Sequence, residues 1–118
     1  MDTAVTPLNA PSLIIAKSIQ GVPVELGDGL YQITYNFNIE NDGNVDFTIL
    51  QLVDDLNAMI NNPNVNGATV DNAQVAYVSG TVLTPNAAYN GVGNNNLLTG
   101  TDVYPIGATT ELLLTFEF

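Results

Sequence analysis

The chain has 118 residues and a mass of 12.5 kDa, which is one domain's worth of sequence. Twelve acidic side chains face a single basic one, Lys17, for a formal charge of −11; with so few cations, nucleic acid and anionic lipid are not expected partners. Histidine and cysteine are both absent, so histidine-activated nucleophiles, imidazole or thiolate zinc sites and disulfides are excluded, leaving carboxylates, hydroxyls and amides.

Hydrophobic residues make up 46% of the chain and charged ones 11%, a globular composition rather than a disordered one. Asparagine supplies about one residue in seven, so the surface is expected to consist largely of amides and threonine hydroxyls. No apolar run approaches the roughly 20 residues of a membrane helix, and no membrane insertion is expected. The opening MDTAVTPLNAP lacks the basic start and apolar stretch of a signal peptide; an export address, if the protein is secreted, is expected outside this segment.

Residues 1–12 carry two prolines and little periodicity, and read as an entry linker ahead of a single domain over 13–118. Leu13 to Ile19 is rich in β-branched residues and reads as a strand, followed by a glycine-punctuated loop containing Glu25 and Asp28. From Leu30 to Asn41, Tyr31, Ile33, Tyr35, Phe37 and Ile39 alternate with polar residues without a break, the period of a strand with one buried face. Asn41-Asp42-Gly43-Asn44 predicts a turn into a second strand, Phe47 to Asp54, and so a hairpin.

After Asp55, the apolar residues Leu56, Met59 and Ile60 stand at helical spacing before Pro63, enough for a short turn of helix. Val70 to Val78 and Thr81 to Thr84 read as strands, and Pro85 to Asn96 as a long asparagine- and glycine-rich loop from which Leu97 and Leu98 return to the core. Glu111 to Phe118 alternates again, with Leu112, Leu114, Phe116 and Phe118 on one side. Short strands separated by turn signals predict an all-β chain, an antiparallel β-sandwich of about seven strands.

Four pieces in order carry a family resemblance: the strand end Lys17-Ser18, the passage YQITYNFNIENDGN, the series Leu50-x-Leu52-x-Asp54-Asp55-Leu56, and the late stretch NAAYNGVGNNNLLTGTDVYPIGATTELLLTF with Gly107-Ala108-Thr109 before the last strand. Over residues 13 to 118 the chain resembles the bacterial surface-repeat family called domain of unknown function eleven, an immunoglobulin-like module found in tandem within long secreted proteins. It departs from that pattern in having Asp42 where threonine is common and no proline after Leu56. The resemblance implies an immunoglobulin-like fold and a non-catalytic role in extracellular architecture: an adhesin stalk, surface layer or filament whose partners are neighbouring repeats or copies of itself. For a filament subunit, the apolar segment Leu8 to Ile19 is a candidate for completing a neighbour's sheet by strand addition; the plainer expectation is a strand within its own domain.

The acidic residues suggest two candidate metal sites, with calcium as the ion suited to hard oxygen ligands. One combines Glu25 and Asp28 with Asp54 and Asp55, which antiparallel pairing is expected to bring to the same pole; alternatively Asp54 secures a turn through backbone N–H groups. The other is Asp42, Asn44 and Asp46, spaced like a calcium loop but lacking the closing glutamate of an EF-hand, or simply a hairpin turn bonded to its own backbone. A carboxylate pair is the one catalytic device the composition allows, without tryptophan for sugar stacking or a cation to steady an oxyanion, so no enzymatic activity is expected. Tyr89, among the amides of the 85–96 loop, is a candidate contact for a glycan or surface receptor, or else an anchor of that loop.

Overall fold

The computed structural model describes residues 9–56 and 69–118. Its elements are five strands: β1 (Leu13–Ile19), β2 (Val24–Gly27), β3 (Leu30–Asn41), β4 (Asp71–Gly80) and β5 (Thr109–Glu117). They form one antiparallel sheet in the order β1-β3-β5-β4, with β2 also paired to β3. The described residues therefore form an all-β fold, as the alternating patterns predict. The expected helical turn continues into residues 57–60, outside the described residues.

The two strongest alternations in the sequence become the two central strands. Ile33 stands opposite Phe116, Tyr35 opposite Leu114 and Phe37 opposite Leu112. Because side chains alternate across a pleated sheet, one register sends all of these to the same face. There Ile33, Phe37, Ile39, Leu112, Leu114 and Phe116 are buried, each such side chain contributing about 1.5–3 kcal/mol. The opposite face is polar: the Thr34 and Thr115 hydroxyls lie 3.2 Å apart, and Asn36 Nδ2 donates to Glu111 Oε2 at 2.5 Å.

The apolar face is covered by two segments that carry single bridges instead of regular strands. Phe47 bridges Tyr104, Val53 bridges Asn96 and Pro85 bridges Leu98, and Leu50, Leu52, Leu56, Leu83, Leu97 and Leu98 close the core from that side. The expected hairpin between 30–41 and 47–54 does not form. Both sides of β3 are already occupied, by β1 and β2 on one and β5 on the other, so the second segment crosses the core and pairs with the covering layer. Nor is Thr81 to Thr84 a strand; its donors and acceptors go to scattered partners, Thr109, Thr110, Thr99 and Asp102.

The loop expected after Ile19 instead contains β2. Asp28 and Gly29 have φ of 52° and 77°, the pair of positive values that a tight type I′ hairpin turn requires. At the far end of the sheet, Gly80 has φ 91°, and a Cβ there would stand 2.1 Å from the Thr109 carbonyl oxygen, so only glycine lets β4 leave the sheet this close to β5.

The buried amide of Asn41 joins the sheet to the covering layer. Its Nδ2 donates to the carbonyls of Val45 and Tyr104, both at 3.0 Å, and its Oδ1 accepts from the Gly43 amide at 3.2 Å. Its own backbone bonds Gly107 and Ala108, within a Pro105–Ala108 turn whose third residue, Gly107, has φ 80°, as a type II turn demands. Beside it, the Tyr104 hydroxyl lies 2.9 Å from both the Ile39 carbonyl and the Thr110 hydroxyl, and Thr110 donates onward to Thr81.

Candidate functional site

The long asparagine-rich loop is closed by its own amides. Asn86 Nδ2 donates to Asn94 Oδ1 at 3.1 Å and to the Asn96 carbonyl at 2.9 Å, while its Oδ1 accepts from the Ala88 amide at 3.0 Å. Asn90 Oδ1 accepts from three successive backbone amides, Val92, Gly93 and Asn94, at 3.0, 2.9 and 2.9 Å. Short amide side chains suit this because they bond nearby backbone without needing a helix or a strand.

The closed loop is attached to the segment ahead of it. Asp54 and Leu56 donate their amides to the carbonyls of Asn95 and Gly91, and Gly91, with φ 73°, leaves room where a Cβ would meet the Leu56 side chain at 2.6 Å. Tyr89 points inward: it is 4% exposed and its hydroxyl donates to the Asp54 carbonyl at 2.9 Å. Burial, followed by the negative charges of Asp54 and Asp55, pushes its pKa well above the ordinary phenol value of 10.0. Tyr89 therefore anchors the loop, and its ring is not available to stack on a sugar.

Lys17 projects from β1 on the core side and meets Asp54 Oδ2 at 2.8 Å, the two side chains being 39% and 16% exposed. Its ammonium stands 4.2 Å from the Tyr35 ring centroid and 5.8 Å from that of Phe37, close enough for attraction to the ring faces. The pair ties the edge strand to the same corner of the covering layer that Tyr89 secures. The sequence singled out Lys17 as the lone cation without giving it a role; the sign of one was its place inside a β-branched strand.

The candidate carboxylates are distributed as follows. Glu25 stands on β2 opposite Tyr31, and Asp28 forms the β2–β3 turn. Lys17, which holds Asp54, is opposite Phe37, so six residues of β3, about 20 Å, separate its place on the strand from that of Glu25. Asp54 and Asp55 are adjacent, but the structure does not bring Glu25 and Asp28 to them. Asn44 Oδ1 accepts from the Ala10 amide at 2.7 Å and Asp46 Oδ1 from the Ile106 amide at 2.9 Å, both ties to segments distant in sequence and not to the turn's own backbone, while Asp42 is exposed. Among the described residues, no three carboxylates gather into a group able to hold a metal ion.

Among the described residues, two concavities stand out. One, of about 280 Å³, lies between β4 and the start of the closed loop, lined by Ala73, Gln74, Val75, Asn86 and Ala87. The other, of about 270 Å³, lies on the polar face beside Ile14, Ala16, Asn38, Glu40 and Thr109. The first has no ionisable side chain in its lining and the second has one, Glu40. Compared with known proteins, the chain matches no family model, no curated protein and no solved structure.

Proposed function

We propose that this chain is a structural, non-catalytic module of a bacterial extracellular surface protein, one repeat or subunit of an adhesin stalk or filament. The observation that carries this reading is the placement of the first and last strands. Leu13 enters beside Asn41 at one end of β3, while Phe118 leaves beside Tyr31 at the other, about 34 Å away at strand rise over ten residues. A module entered at one pole and left at the other lines up end to end with its neighbours. The five-stranded sheet, faced by a layer whose pairing is reduced to single bridges, is compatible with an immunoglobulin-like sandwich of about seven strands, and the four ordered motifs add the surface-repeat resemblance.

End-to-end contact is better supported than strand addition. One edge strand, β1, carries a charged residue on its core-facing row, and the other, β4, is interrupted by two register shifts; both devices discourage edge-to-edge pairing. Glycan or receptor binding through the 85–96 loop has less support, because that loop's tyrosine and the side chains of Asn86, Asn90 and Asn94 are already engaged. Immunogold labelling of intact source cells with an antibody to this domain tests the reading. Label along surface fibres is expected, and label confined to the cytoplasm overturns it. A glycan array that showed saturable binding would transfer the assignment to the binding module.

A further inference from the structure

We infer that the module is built to carry tension along its strand axis, with the β1–β3 ladder as the element that yields first. The inference deepens the architectural reading, on which its use in the cell rests; the mechanical property itself belongs to the isolated molecule.

The topology decides how a pull is distributed. β1 and β5 both run antiparallel to β3 and lie on opposite sides of it. A pull outward on Leu13 and Phe118 therefore slides β1 and β5 along β3 in opposite directions. Every hydrogen bond of a ladder is then strained together, since the direction of force is perpendicular to the N–H···O bonds of an antiparallel pair. β5 is held on both sides, by β3 and by β4. β1 is held along one side, over Leu13 to Ile19, and is pinned further by Lys17 to Asp54 in the covering layer. A pull on Val22 and Phe118 acts differently: the loaded span begins after β1, so the force bypasses the β1–β3 ladder and peels β2 from β3, starting at Val24 and Gln32, one pair at a time.

The chain has no cysteine, so introduced thiols give unique attachment points for single-molecule pulling on the full chain. One variant carries Ser12→Cys and a cysteine appended after Phe118; the other carries Val22→Cys, at a position 79% exposed, with the same appended cysteine. Equal urea midpoints establish that both retain the fold. At one loading rate, the first geometry is expected to need about three times the force of the second, because forced unfolding follows the barrier along the pulled direction. Equal forces, or a stronger second geometry, overturn the inference. Because the measurement uses purified protein, its failure leaves the surface assignment standing, and cytoplasmic immunogold label would leave the mechanical result standing.

Discussion

Asn41 is the single side chain whose loss should be felt most widely. Replacing it by alanine removes three hydrogen bonds and leaves the buried Tyr104 carbonyl without that donor. A loss of about 3 kcal/mol is expected in urea unfolding, since each orphaned buried group costs roughly 1–3 kcal/mol. Asn41→Asp should be worse at neutral pH, because it sets an anion against two carbonyl oxygens that now receive a proton donor. Tyr89 gives a second, pH-dependent signature. Its folded-state pKa lies above the ordinary 10.0 because of burial and the aspartates below it. Below pH 10 both folded and unfolded chains keep the phenol proton, and stability is unaffected by it. As pH rises past 10 the unfolded chain releases that proton first, so stability falls with a limiting slope of about 1.4 kcal/mol per pH unit for one group. Urea midpoints from pH 9 upward should decline, and Tyr89→Phe should make the decline shallower.

Among the elements, β1 shows how a charge is used to keep a strand from pairing with strangers. Its core-facing row is Leu13, Ile15, Lys17 and Ile19, and Ile15 and Ile19 are about half exposed. Lys17→Ile would complete an uninterrupted apolar row on an open edge. Such a variant is expected to lose less than about 1 kcal/mol from the half-exposed ion pair but to aggregate at concentrations where the parent stays clear, as light scattering would show. The central strands β3 and β5 were legible because period two runs unbroken from Tyr31 to Ile39, is interrupted over Glu111 to Phe118 by Leu113 alone, and most of one face of each is buried. β2 was hidden by its own punctuation: Gly27, Asp28 and Gly29 read as loop, although Asp-Gly between Leu26 and Leu30 is also a hairpin signal. Phe47 to Asp54 misled in the other direction. Ile49 and Val53 look like strand residues yet are 73% and 68% exposed; the flanks of β3 are filled by β1 and β2 from ahead of it and by β5 from the far end of the chain, which the pattern of 47–54 alone does not register. In the candidate site, Tyr89 was legible as an anchor or a contact; its choice between them depended on Asp54 passing beneath the loop.

At the scale of the whole molecule, a charge of −11 with one lysine means that most carboxylates feel other carboxylates. Compaction concentrates that repulsion, and salt screens it within about 10 Å at 0.1 M. The melting temperature is therefore expected to rise as sodium chloride is raised from a few millimolar to about 0.15 M. Comparing calcium with magnesium at equal ionic strength separates screening from binding; an additional gain with calcium alone would indicate a bound ion.

The solitary lysine has one more effect. With no arginine in the chain, the bond between Lys17 and Ser18 is the only one that trypsin recognises, and it lies in the middle of β1, paired to Phe37 and Asn36. A protease needs an extended, unpaired segment in its cleft, so cutting must wait until this strand lifts off its neighbour. Digestion of the native protein should be slow and should yield two fragments, at a rate set by the population of the lifted form when reclosing is fast. Lys17 thus makes the outermost strand its own reporter: a measured cleavage rate translates into the free energy of detaching β1 without any label being introduced.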